Sequence, residues 1–154
     1  MNRISVFALA LLAALTVQTP VAPAVAEDNL IGQAKNVAGA VFVERAGSRL
    51  PLKAGDRLAL TDTVITGNDG SAGITFADNS MMSLGPDTVL ALERFQFNST
   101  TNEGVFASRL RSGTLAVKSG KIVQQTPEAM TIRTPAAVLG VRGTEFVVRA
   151  DDDR

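Results

Sequence analysis

From Val37 onward the chain alternates apolar and polar residues in short bursts, each broken by Gly, Asn, Asp or Pro. A period of two sends successive side chains to opposite faces of a strand, and the breaks are turn chemistry. Val37 to Val43 is predicted as the opening strand, with Gly39 marking a bulge. Leu50 to Leu52, Leu58 to Leu60 and Thr63 to Thr66 follow, punctuated by Gly47-Ser48 and Ala54-Gly55-Asp56. Asp69-Gly70 reads as a tight turn needing positive φ, and Ala72, Ile74 and Phe76 then form one buried face. Asp78-Asn79 turns into Met81 to Leu84. Thr88 to Leu92 follows Gly85-Pro86-Asp87, with Leu90 and Leu92 inward and Phe95 and Phe97 continuing the alternation. The polar stretch Asn98 to Gly104 is a loop. Phe106 to Leu110 restarts the sheet, Ser112-Gly113 turns into Thr114 to Val117, and Ser119-Gly120 turns into Lys121 to Gln125. Met130 to Arg133 and the strand after Gly143 close the count. No stretch carries a sustained 3.6-residue apolar stripe. About ten to twelve short strands at such spacing predict an all-β, single-domain sandwich, jelly roll or β-roll.

The first 26 residues read differently. Arg3, the apolar run from Ile4 to Val17 and the small residues Ala24-Val25-Ala26 make a secretory signal, cleaved after Ala26, with a retained membrane anchor as the alternative. The organisation expected is then a polar lead-in over 27–36, the β domain over 37–149 and an acidic tail over 150–154. With no cysteine anywhere, neither lipidation nor a disulfide is available, so one hydrophobic core must stabilise the domain. Losing Arg3 with the leader leaves 14 basic against 15 acidic residues. That balance gives no footprint for nucleic acid and no polybasic membrane patch. The expected location is therefore periplasmic or secreted, without stable membrane insertion.

Candidate chemistry is sparse. Histidine, cysteine, tyrosine and tryptophan are all missing, which removes the usual neutral-pH base, the thiolate and the soft metal ligands. Asp56, Asp62, Asp69 and Asp78 each sit in a turn, where carboxylates cap backbone N–H groups. Weak calcium coordination and a carboxylate-dependent hydrolase are the alternatives they leave. No cofactor or metal is expected, nor an enzyme. The phenylalanines Phe42, Phe76, Phe95, Phe97, Phe106 and Phe146 read as core anchors.

The segment Thr134 to Val148 carries the most information. Thr134-Pro135 is an extended entry, Gly140 and Gly143 supply special backbone conformations, and Arg142 between them clamps a neighbouring loop or an anionic ligand. Thr134, Pro135, Arg142, Gly143 and Thr144 are the candidate binding or structural motif. In order, Gly39-Ala40-Val41-Phe42-Val43, Leu52-Lys53-Ala54-Gly55-Asp56-Arg57-Leu58 and Phe76-Ala77-Asp78-Asn79-Ser80 resemble elements of the FecR family's periplasmic domain. Leu84-Gly85-Pro86-Asp87-Thr88, Leu110 to Leu115 and Arg142-Gly143-Thr144-Glu145-Phe146 continue that resemblance. It departs mildly at Asn79, where the family has Gly.

In membrane-spanning members of that family the domain lies between an inner-membrane helix and a short C-terminal module. A cytoplasmic segment there holds a sigma factor, and the C-terminal module meets a TonB-dependent receptor. A hydrophobic run starting at Ile4 and an end at Arg154 fit an isolated sensory or interaction domain, exported on its own. The resemblance implies non-catalytic recognition of another cell-envelope protein, through sheet edges or the Asn98–Gly104 loop. A peptidoglycan, saccharide or small-ligand module is the alternative.

Overall fold

The computed structural model describes residues 30–143 and 145–151. The expected signal segment, the first residues of the lead-in, Thr144 and the end of the acidic tail lie outside them. Twelve strands follow in chain order: β1 (Leu30–Ala38), β2 (Val41–Arg45), β3 (Ser48–Pro51), β4 (Arg57–Ala59), β5 (Thr63–Thr66) and β6 (Ser71–Phe76). Then come β7 (Met81–Leu84), β8 (Val89–Phe97), β9 (Gly104–Lys118), the short helix α1 (Lys121–Gln125), β10 (Met130–Arg133), β11 (Val138–Gly140) and β12 (Glu145–Ala150). The all-β expectation holds, as a curled sheet whose two halves face each other.

Strand β9 belongs to both halves. Its first part pairs β8 on one side and β10 on the other, extending through β5, β2 and β3. Its last part pairs β7 and β12, extending through β6, β1 and β4. Between the halves Phe76 meets Phe106 edge-on with ring centroids 4.7 Å apart, and Phe95 meets Phe106 at 5.1 Å. Around this cluster lie Leu58, Ile74, Met82, Leu90, Leu92, Leu110, Leu115 and Ile132, all buried. Phe42 is the exception among the expected anchors. It is half-buried on the outer surface, where the Arg49 guanidinium stacks 4.4 Å from its centroid.

Two bulges explain where the alternation read from sequence changes phase. In β8 the inward residues are Leu90 and Leu92, then Phe95, with a register shift between Leu92 and Arg94. In β9 they are Phe106, Ser108 and Leu110, then Leu115 and Val117. A one-residue slip turns every later side chain to the other face, so an extra residue at each point keeps the core inside. Ser112-Gly113, expected as a turn, is thus a bend within one 15-residue strand.

Other expectations need correction. The stretch taken as lead-in is strand from Leu30, with Ile31 and Ala34 buried. Gly39, expected as a bulge, has φ +66° and ends β1. Asp69-Gly70 turns without positive φ there; a Cβ on Gly70 would lie 2.3 Å from the Ala40 carbonyl oxygen, so close approach selects the glycine. Lys121 to Gln125 is helical rather than extended, because Ile122 and Val123 are neighbours and both buried. Strand alternation would send one of them to solvent. The helix also lies on the crossover that the parallel pair β9–β10 requires.

Gly113 has φ +89°, and a Cβ there would lie 2.2 Å from Thr88 Oγ1 and 2.4 Å from Thr88 Cα. Gly47 has φ +78° with open space around it. Gly113→Ala should therefore cost about 3 kcal/mol or more from strain plus overlap, and Gly47→Ala about 1 kcal/mol from strain alone. Urea unfolding of the two variants checks this, and equal losses would contradict it.

Candidate functional site: an arginine face beside the Thr-Pro turn

Each turn aspartate already has an occupation. Asp56 Oδ2 accepts the Lys53 N–H at 2.8 Å, and Asp69 Oδ1 accepts the Ala40 N–H at 3.2 Å. Asp78 is buried, and its Oδ1 accepts from the Ser80 N–H at 3.1 Å and the Ser80 hydroxyl at 2.6 Å. Asp62, also buried, is gripped by Arg45: Nε donates to Oδ1 at 2.8 Å and Nη2 to Oδ2 at 2.6 Å. The Ala59 N–H adds a third bond to Oδ2, at 2.8 Å. Hydrogen bonding to Asp62 raises the Arg45 pKa above its ordinary value, while partial burial pulls the other way. The guanidinium thus stays charged through the whole ordinary pH range. These are the capping roles that turn carboxylates play, with Asp62 promoted to a buried ion pair joining the end of β2 to the β4–β5 turn. Among the described residues no three His, Cys, Asp or Glu side chains are grouped to hold a metal ion.

The Thr134–Thr144 motif divides between two places. Thr134 and Pro135 form the turn between β10 and β11, where the Thr134 N–H donates to the Ala137 carbonyl at 2.8 Å and its hydroxyl accepts the Ala137 N–H at 3.0 Å. Arg142 and Gly143 lie beyond the other end of that hairpin, where the Val141 N–H donates to the Met130 carbonyl. The four residues of β10 separate the two ends by about 13 Å. Arg142, 73 % exposed, pairs with Glu128 at 2.6 Å and so ties the last segment to the loop before β10. Gly143 has φ +125°, and its carbonyl accepts the Ser119 hydroxyl at 2.5 Å. Gly140 has no positive φ and open space around it. Thr144 lies outside the described residues.

The Thr-Pro end adjoins a charged surface that sequence reading missed. Arg109 and Arg111 are two apart on β9 and so share its outer face. Arg133 lies directly beside Arg109 in the parallel β9–β10 register, and Val138 beside Arg133 in the next strand. The β8 bulge sets Glu93 against this row, with Oε1 accepting from Arg109 Nε at 2.6 Å and Oε2 lying 3.9 Å from Arg133 Nη1. Re-aiming one side chain is what a bulge does. Glu93, Arg109, Arg111 and Pro135 line an open depression of about 580 Å³. Three guanidinium groups meet one carboxylate, and among the described residues Arg111 has no carboxylate partner. Such a surface suits a planar anionic group, which guanidinium binds in two-pronged fashion. Its signals were present in Arg109-x-Arg111 and in Arg133 at the polar end of an alternating strand. The parallel pairing that joins them is not written in either segment.

The Asn98–Gly104 loop is closed on itself. Asn98 Oδ1 accepts the Thr100 and Thr101 N–H groups, and the Asn98 N–H donates to the Glu103 carbonyl at 2.9 Å.

Removing one partner of a buried ion pair strands the other charge. Asp62→Ala and Arg45→Met should each destabilise by about 3 kcal/mol, and the double variant by much less than their sum. A double-mutant cycle in denaturant reads this, and additive losses would contradict the pairing.

Neither the curated proteins nor the solved structures contain a match to this chain. The family profile described as FecR protein does match, over residues 62–154, from the buried Asp62 through the arginine face to β12. Domains of that family are regulatory or sensory and typically envelope-associated. Among the described residues no helix is long and apolar enough to cross a membrane. With more than half of its length covered by that match, the chain belongs to the FecR family.

Proposed function

We propose that this chain is an exported, non-catalytic sensory module that binds another cell-envelope protein through the outer face of β9, β10 and β11. The observation that carries the reading is the row Val138, Arg133 and Arg109, flanked by Arg111 and only partly neutralised by Glu93. Val138 is 66 % exposed on the edge strand β11, so an apolar contact adjoins the cationic surface. The partner that fits presents a carboxylate-bearing segment with an apolar residue beside it. Electrostatic complementarity of this kind sets specificity and association rate more than raw affinity. No proton transfer or covalent step is needed.

The test is periplasmic cross-linking followed by pull-down of the tagged protein and mass spectrometry. One envelope protein is expected to dominate, its yield falling roughly tenfold in Arg111→Glu/Arg133→Glu, as loss of about 1.4 kcal/mol predicts. Capture should also weaken at raised salt. Equal capture by the folded double variant, or retention on purified peptidoglycan with no protein partner, would overturn the reading.

A further inference from the structure

The sheet has four edges among the described residues, and three of them resist pairing. Strands β4 and β11 have three residues each, and β3 has four and ends at Pro51, which lacks an N–H. Strand β12 differs. It runs for six residues without proline or lysine and pairs on one side only, with β9. Its inward residues Val148 and Ala150 are buried, whereas Val147 on the outer face is 68 % exposed. The outer positions read Glu145, Val147, Arg149.

That order is self-complementary. If two copies align antiparallel about Val147, the two valines meet, Glu145 faces the other copy's Arg149, and Arg149 faces the other copy's Glu145. On the inner side Phe146 faces Val148. We infer that β12 is a self-association edge, pairing with β12 of a second copy about a two-fold axis at Val147. A two-fold contact uses the same patch on both subunits, which this charge order satisfies. Present neighbours do not block it. Lys118 lies 3.4 Å from Glu145 and Arg149 lies 3.5 Å from Asp151, all four side chains more than half exposed. A carboxylate has acceptor sites for a second cation. Beside the strand an open groove of about 430 Å³, lined by Met81, Val117, Phe146 and Val147, continues the apolar surface toward the axis. Two short strands make a small interface, below the roughly 1,000 Å² of stable complexes, so the dimer is reversible. The inference is independent of the β11 surface, which lies in the other half of the sheet.

The chain contains no cysteine, so Val147→Cys introduces a single thiol. Antiparallel neighbours have Cα atoms about 4.5–5.5 Å apart, within reach of a disulfide. Under mild oxidation most of this variant should become a covalent dimer. Arg149→Cys should remain monomeric, because two residues from the axis on each strand leave the thiols about 14 Å apart. Adding Arg149→Glu to Val147→Cys should lower the dimer yield roughly tenfold through facing carboxylates, and adding Glu145→Arg as well should restore it. Equal cross-linking from positions 147 and 149, no cross-linking at 147, or a yield indifferent to the charge exchange would overturn the inference. In the second of these outcomes the edge is left to a strand of some other protein.

Discussion

A buried threonine at a bent strand holds the two halves of this molecule together. Thr88, fully buried, has its hydroxyl between the Thr114 N–H at 3.1 Å and the Thr114 carbonyl at 3.2 Å, against the bare Cα of Gly113. Its own N–H donates to the hydroxyl of Thr66, which in turn donates to the Gly85 carbonyl at 2.7 Å. Buried polar groups are tolerable only when satisfied, and here their satisfaction requires β5, the β7–β8 turn and β9 to meet at one point. Because Gly113 takes the bend, β9 can pair with β8 and β10 before it and with β7 and β12 after it. The Phe76–Phe95–Phe106 cluster then fills the space that the curl encloses.

The same strand sets out the outer surfaces. Before the bend, β9 presents Arg109 and Arg111 beside Arg133; after it, β9 supports the edge strand β12. A chain with equal numbers of acidic and basic residues thereby gathers three arginines around a single carboxylate. Net charge describes solubility and long-range steering, whereas recognition is set by which residues the register makes neighbours. The family's sensory character fits an architecture with rigid strands below and charged or apolar surfaces above. Its turn aspartates are engaged in capping and in one buried pair.

Much of the fold was legible because alternation and turn residues report burial directly. Ala72, Ile74 and Phe76, or Met130 and Ile132, announce their buried face without any knowledge of partners. Asn79 was readable as a turn residue standing in for Gly, and it has φ +66°. Three kinds of feature were not legible. The start of β1 at Leu30 is hidden because Gln33, Lys35 and Asn36 are polar, and only its place between β4 and β6 makes it a strand. Phase changes at Glu93 and Gly113 are visible as a switch from even to odd positions, yet a turn and a bulge leave the same mark. Pairing between distant segments is the third kind, and it decides the site. Thr134-Pro135 and Arg142-Gly143 read as one motif by proximity in the chain, but β10 and β11 fold them to opposite ends of a hairpin. Pro135 instead joins Arg109 and Arg111, more than twenty residues earlier.

The central functional claim is that the partner lies on the β9–β11 face. Its most direct test places a photo-crosslinking amino acid at Arg111, Val138 or Arg49 in turn and irradiates living cells. Arg49, on β3, lies at the far edge of that sheet, six strand spacings or roughly 29 Å along it from β11. The account predicts that Arg111 and Val138 positions yield adducts with the same envelope protein and that the Arg49 position does not. Adducts at Arg49 matching the others, or no adduct at Arg111 and Val138, would contradict it.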